Sequence, residues 1–244
     1  MMSGTRMIED RIIIALDVAT RDEVGRLCEA LAGRVRMLKV GLQLFVSEGP
    51  PIVRDIQEAG FDVFLDLKLH DIPNQVARAC AEVAGMGVSM VTVHASGGRE
   101  MLQAAVESTR TAAAERGLSA PKIVGVTVLT SLDQRNLAEL GVTRPLEEQV
   151  LELARLALDC GLDGIVASAR EVRALREALG PDFVMVTPGV RPAWAGGDDQ
   201  KRVMQPREAI LAGASYLVVG RPVTGAPDPR SAVDSLLSEL AAPR

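Results

Sequence analysis

Asp66 and Lys68 stand two residues apart in the run Asp66-Leu67-Lys68-Leu69, and Asp71 follows in His70-Asp71-Ile72-Pro73. On a β-strand, residues two apart share a face. The spacing places a carboxylate and an ammonium side by side. A second carboxylate lies just beyond the strand, able to approach the same spot from this chain or a neighbouring one. A lysine flanked by carboxylates holds its proton near neutral pH. That suits a general acid and disfavours a Schiff-base nucleophile, which needs a depressed pKa.

Further polar residues end other short apolar runs: Asp17, Lys39, His94, Thr130-Ser131, Thr187-Pro188-Gly189-Val190-Arg191 and Gly220-Arg221. Opposite charges at successive run ends are costly to bury unless they pair. Their clustering argues for a site. Arg191 and Arg221, each near a glycine that exposes backbone N–H groups, carry the chemistry of an anion cradle.

The elements that must position these groups alternate along the chain. Strands are expected at Arg11–Asp17, Met37–Gly41, Val63–Lys68, Met90–His94, Ile123–Leu129, Gly164–Ala167, Phe183–Thr187 and Tyr216–Gly220. Between them, Asp22–Leu31, Asn74–Met86, Glu100–Arg116, Leu146–Cys160, Ala169–Leu179 and Arg207–Ala212 are rich in helix formers, and several stop at a glycine. Strand–helix alternation implies parallel strands with helical crossovers. Eight units in one chain of this length predict an α/β fold, a single (β/α)8 TIM barrel spanning residues 1–244 as one catalytic domain. The alternative is a doubly wound open sheet, but no Gly-x-Gly-x-x-Gly follows the first strand. In a barrel the polar run ends gather at the C-terminal face, and the loops after strands seven and eight commonly hold phosphate. The long loop from Pro188 to Lys201 has the length of a lid or binding loop.

Composition narrows the function. Of 244 residues, 48% are hydrophobic and only 2% aromatic, and the net charge is -5. Few stacking platforms and an acidic balance oppose a nucleic-acid partner. The two histidines, His70 and His94, cannot supply a three-histidine zinc site, and Cys28, Cys80 and Cys160 form no Cys-x-x-Cys pair. The thiols, all in helical segments, read as reduced core residues, which suggests the cytoplasm. The apolar run Ile12–Leu16 is too short for a membrane span or a signal segment. No cofactor fingerprint and no metal site are expected. His94 reads as a supporting residue, and His70 is expected to point away from Lys68.

Asp66-Leu67-Lys68-Leu69-His70-Asp71-Ile72-Pro73-Asn74 resembles the Asp-x-Lys-x-x-Asp-Ile-Pro-[Asn/Thr] signature of the orotidine 5'-phosphate decarboxylases. The resemblance extends through Leu16-Asp17-Val18, Leu38-Lys39-Val40-Gly41, Val91-Thr92-Val93-His94-Ala95, Val128-Leu129-Thr130-Ser131, Thr187-Pro188-Gly189-Val190-Arg191 and Val218-Val219-Gly220-Arg221-Pro222. It implies a cofactor-free, cytoplasmic homodimer that converts orotidine 5'-monophosphate to uridine 5'-monophosphate, the last step of de novo pyrimidine nucleotide synthesis. Lys68 then resembles the proton donor to ring carbon 6, and Asp66 the carboxylate set against the substrate's own. Asp71 resembles the aspartate lent to the partner's site, and Ile72 beside it counts among the substrate-binding residues. Asp17 and Lys39 would bind ribose hydroxyls, and Thr130 and Ser131 would face ribose and pyrimidine. Arg191, Gln200, Gly220 and Arg221 would hold the phosphate. Two other functions compete. The related keto-gulonate phosphate decarboxylases and hexulose phosphate synthases carry a magnesium-binding glutamate where this chain has Lys39, and a lysine there would repel the metal. A non-catalytic phosphate or nucleotide sensor would not need Lys68 with both carboxylates.

Overall fold

Period-two alternation along the strands sorts their side chains into two apolar layers, and the layers close on themselves. In a computed structural model, which describes residues 8–192, 194 and 204–241, eight parallel strands form a closed barrel in chain order. They are β1 Ile12–Ala15, β2 Met37–Gly41, β3 Asp62–Leu69, β4 Met90–His94, β5 Lys122–Val126, β6 Gly164–Val166, β7 Val184–Thr187 and β8 Tyr216–Val219. Pairing of β1 with both β2 and β8 completes the ring. Closure excludes the open doubly wound sheet.

Helices follow the strands: α1 Arg21–Leu31, α2 Leu42–Glu48, α3 Pro51–Glu58, α4 Pro73–Gly85, α5 Arg99–Glu115, α6 Gln134–Glu139, α7 Leu146–Asp159, α8 Val172–Leu179, α9 Pro206–Ala212, α10 Arg221–Thr224 and α11 Pro229–Ala241. Five of the six expected helical segments begin and end within one residue of the observed bounds. The segment expected from Ala169 opens as a 3-10 turn at Ala169–Glu171 before α8. α2, α3, α6, α10 and α11 add to the expected set. β1 and β5 stop at Ala15 and Val126, so Asp17 and Thr130 lie on the loops that follow. None of the helices among the described residues is long and apolar enough to cross a membrane.

Ile12, Ile14, Leu38, Val40, Val63, Leu65, Val91 and Val93 belong to the layer shared with the helices. Ile13, Ala15, Met37, Phe64, Met90, Val124, Val186, Tyr216 and Val218 fill the lumen. Fully burying a side chain such as Phe64 or Met90 contributes roughly 1.5–3 kcal/mol, so the lumen is a packed plug. One step further along the lumen rows of β1 to β4 the chemistry changes. Ala15 gives way to Asp17, Met37 to Lys39, Phe64 to Asp66 and Met90 to Thr92. The polar groups stand on the plug at the C-terminal end of the barrel. Cys28, Cys80 and Cys160 are buried thiols, and burial pushes those of Cys28 and Cys80 up to about 11.

Candidate active site

Four charges of alternating sign run across the first three strand ends. Asp17 Oδ1 lies 3.5 Å from Lys39 Nζ, which lies 3.3 Å from Asp66 Oδ2. Asp66 Oδ1 in turn lies 2.8 Å from Lys68 Nζ. Lys39 and Asp66 are buried, whereas the Asp17 side chain is half exposed at the mouth. Pairing is what makes such burial tolerable. Burial alone would raise the Asp66 carboxyl, but Lys39, then Lys68, and the hydrogen bonds from Lys68 and Thr92 outweigh it. The group sits below the ordinary carboxylate range.

β3 is irregular where it matters. Leu65 pairs with Val91 and Leu69 with Val93, so four residues of β3 advance against two of β4. This is the excess of a bulge, which re-aims side chains. Lys68 absorbs it with φ at 51°, a left-handed conformation that costs a non-glycine residue about 1–3 kcal/mol. Its N–H donates to Thr92 Oγ1 at 2.8 Å, and the Thr92 hydroxyl donates to Asp66 Oδ1 at 3.0 Å. Thr92 is 1% exposed. It carried no role in the sequence reading, although the lumen alternation from Met90 points to its position.

A cavity of about 260 Å³ opens above these groups. Its wall includes Asp17, Lys39, Asp66, Lys68, Thr130, Arg191, Gly220 and Arg221. Gly220 sits close against the Asp17 carboxylate. A Cβ there would lie 3.1 Å from Asp17 Oδ2 and 3.5 Å from Ala15 Cβ. Gly189, also in the wall, has φ at 72°, where glycine avoids the Cβ penalty. The segment carrying Arg191 is tied down: Val190 bridges to Met204, and Arg191 N–H donates to Met204 O at 3.0 Å.

Other expected residues fall elsewhere. Asp71, Ile72 and Ser131 are exposed and lie outside the described cavity wall of the single protomer. Asp71 Oδ1 accepts the Ile72 N–H at 2.6 Å. Ile72 is extended ahead of Pro73, the first residue of α4, as the residue before a proline prefers. Gln200 lies outside the described residues, as does much of the Pro188–Lys201 loop. The His70 and His94 rings lie 5.3 Å apart. Burial first, then the neighbouring His70 and Lys68 charges, hold the His94 imidazole below the ordinary histidine value, against an opposing pull from Asp66. Among the described residues, no group of three or more His, Cys, Asp and Glu is arranged to hold a metal ion.

The family model described as Orotidine 5'-phosphate decarboxylase / HUMPS family matches residues 10–236. The chain belongs to this family. A relative from Moorella thermoacetica named orotidine 5'-phosphate decarboxylase is 52% identical over 233 residues, 95% of this chain and 92% of the relative. One of the same name from Geobacter sulfurreducens is 49% identical over 233 residues, 96% of this chain and 97% of its own. The crystal structure of orotidine 5'-phosphate decarboxylase from Lactobacillus acidophilus has a TM-score of 0.84 at 37% identity, covering 96% of this chain and all of the other. Membership of the Orotidine 5'-phosphate decarboxylase / HUMPS family makes the chain an enzyme.

Proposed function

We propose that the protein decarboxylates orotidine 5'-monophosphate to uridine 5'-monophosphate in pyrimidine biosynthesis, acting in the cytoplasm as one catalytic barrel without metal or cofactor. The observation that carries this reading is the Asp17–Lys39–Asp66–Lys68 charge row lining a cavity whose wall also holds Arg191 and Arg221. The relatives at about half identity bear the corresponding name.

The reaction breaks the bond between ring carbon 6 and the carboxylate carbon. Carbon dioxide leaves, and the electron pair stays on carbon 6. No electron sink in the ring accepts that pair, so stabilisation falls to a preorganised cation placed where charge develops. Lys68 supplies it and then transfers a proton to carbon 6, becoming a neutral amine that recovers its proton from solvent. Asp66 fixes the ammonium and faces the departing carboxylate. Asp17 and Lys39 bind ribose hydroxyls, Thr130 and Ser131 meet ribose and base, and Gln200, Gly220, Arg191 and Arg221 take the phosphate. Asp71, with Ile72, serves the site of the partner in a homodimer. Phosphate and ribose contacts, remote from carbon 6, hold the ring against the charges.

The family also contains the HUMPS branch, and Lys39 weighs against its metal chemistry here. The Lys39 ammonium already lies between the Asp17 and Asp66 carboxylates, where it would repel a divalent ion. The test is an absorbance assay on orotidine 5'-monophosphate before and after exhaustive chelation. Turnover unaffected by chelation is expected. No turnover, or turnover restored only by magnesium, overturns the reading.

A further inference from the structure

We propose that Thr92 is a positioning residue, whose hydroxyl holds the Lys68 backbone and the Asp66 carboxylate in one fixed arrangement. The inference rests on the decarboxylase reading and adds to it a buried residue outside the described cavity wall.

A hydroxyl has one donor and two acceptor sites. Thr92 uses both kinds toward the same charge pair. Its oxygen accepts the Lys68 N–H at 2.8 Å, and its proton goes to Asp66 Oδ1 at 3.0 Å. The residue is buried on β4, directly opposite the stretch of β3 where the register shifts. At that shift, the β4 backbone cannot meet each β3 amide in turn. The side-chain oxygen takes over for the Lys68 amide. The left-handed turn at Lys68 is strained, so it persists only where its surroundings enforce it. Thr92 is one such constraint, and it ties the turn to Asp66. Three strands then hold the central carboxylate: β2 through Lys39, β3 through Lys68 and β4 through Thr92.

Misplacing a reacting group by about 1 Å can cost on the order of 100-fold in rate. Valine matches threonine in shape but lacks the hydroxyl, and serine keeps the hydroxyl but lacks the methyl. For Thr92→Val, we expect kcat on orotidine 5'-monophosphate to fall by roughly 10- to 100-fold, with affinity for uridine 5'-monophosphate nearly unchanged. The Asp66 carboxyl, followed by carbon NMR, should titrate higher than in the wild type. The charged groups facing it, Lys39 and Lys68 with Asp17 beyond, and the titratable His94 remain in place. Thr92→Ser should stay close to wild type in both measurements. Should Thr92→Val not fold, Thr92→Ala against Thr92→Ser gives the same comparison.

Wild-type kcat in the hydroxyl-free variant overturns the proposal. So does a serine variant as impaired as valine, since the methyl would then be what matters. If the wild-type protein itself is inert on orotidine 5'-monophosphate, the decarboxylase reading fails. The Asp66 titration then decides separately: raised in valine and restored in serine upholds the clamp, and no change overturns it.

Discussion

The Lys68 ammonium is held 2.8 Å from Asp66 Oδ1 by a residue whose own backbone lies in the left-handed region. The two facts are linked. Leaving the extended conformation at Lys68 costs conformational energy, and the bulge that forces it fixes where the side chain departs from the strand. The favourable contact is thus made from a locally unfavourable backbone. Activity and stability should therefore separate at this residue.

Lys68→Ala and Lys68→Gly make that separation measurable. Both should lose kcat by more than about 1,000-fold, since a general acid contributes ~10²–10⁴ and charge stabilisation is lost with it. Affinity for uridine 5'-monophosphate should remain measurable, because the proposed ribose and phosphate contacts lie elsewhere. The two variants share every lost side-chain contact and differ in backbone tolerance. A left-handed residue with a Cβ costs about 1–2 kcal/mol, offset in part by the extra unfolded-state entropy of glycine. The glycine variant should unfold at a temperature roughly 1–4 °C above the alanine variant. An alanine variant of equal or higher Tm would show the turn to be unstrained.

Arg221 tests the phosphate end. A charge-assisted hydrogen bond is worth about 1.5–3 kcal/mol, so Arg221→Ala should lower kcat/KM for orotidine 5'-monophosphate by about 10- to 150-fold. The nucleoside orotidine, lacking the phosphate, should be processed almost as by the wild type. Equal losses on both substrates would make Arg221 structural.

Regular strands made most of the site legible in advance. Asp17, Lys39 and Asp66 each lie near or just past the end of a strand, so residue type and place toward a strand end sufficed to group them. Lys68 reaches the expected neighbour by another route. The shared-face argument assumes an unbroken strand, and β3 is bulged between Leu65 and Leu69. Thr92 escaped because threonine is an ordinary strand former and carries no charge to draw attention within Met90–His94. α2 and α3 escaped for a related reason. They are short and contain Val46, Ile52 and Val53, whose β-branched side chains weaken any helical signal. Asp71 and Ile72 stand apart from the cavity of their own protomer. The contribution proposed for them, across a homodimer interface, would leave no pattern in one chain beyond the motif itself.

His94 offers a pH test of stability. Its imidazole is held below the ordinary histidine value by burial and by the His70 and Lys68 charges. An unfolded histidine gains its proton near pH ~6.5, while folded His94 remains neutral to lower pH. The unfolded state binds more protons in that window, so stability falls as pH drops from about 6.5 toward the folded value. Tm should be measured for wild type and His94→Asn between pH 7.5 and 5.5. The wild type should lose more stability than the variant across this range. Parallel curves would show that His94 does not contribute.

Asp71 tests whether the site is shared between subunits. It follows Lys68 by three positions, yet it is exposed and absent from the described wall of its own cavity. Lys68→Ala and Asp71→Asn homodimers should each be nearly inactive. When the two are unfolded together in equal amounts and refolded, random assortment makes about half of the dimers mixed, as for an isologous two-fold pair. In a mixed dimer, one site combines both defects. The other takes Lys68 from the Asp71→Asn chain and Asp71 from the Lys68→Ala chain, and is intact. Half the dimers with one intact site of two should restore activity to about a quarter of wild type. If mass measurement confirms mixed dimers and activity does not recover, Asp71 serves its own subunit, and the exposed loop after β3 has another role.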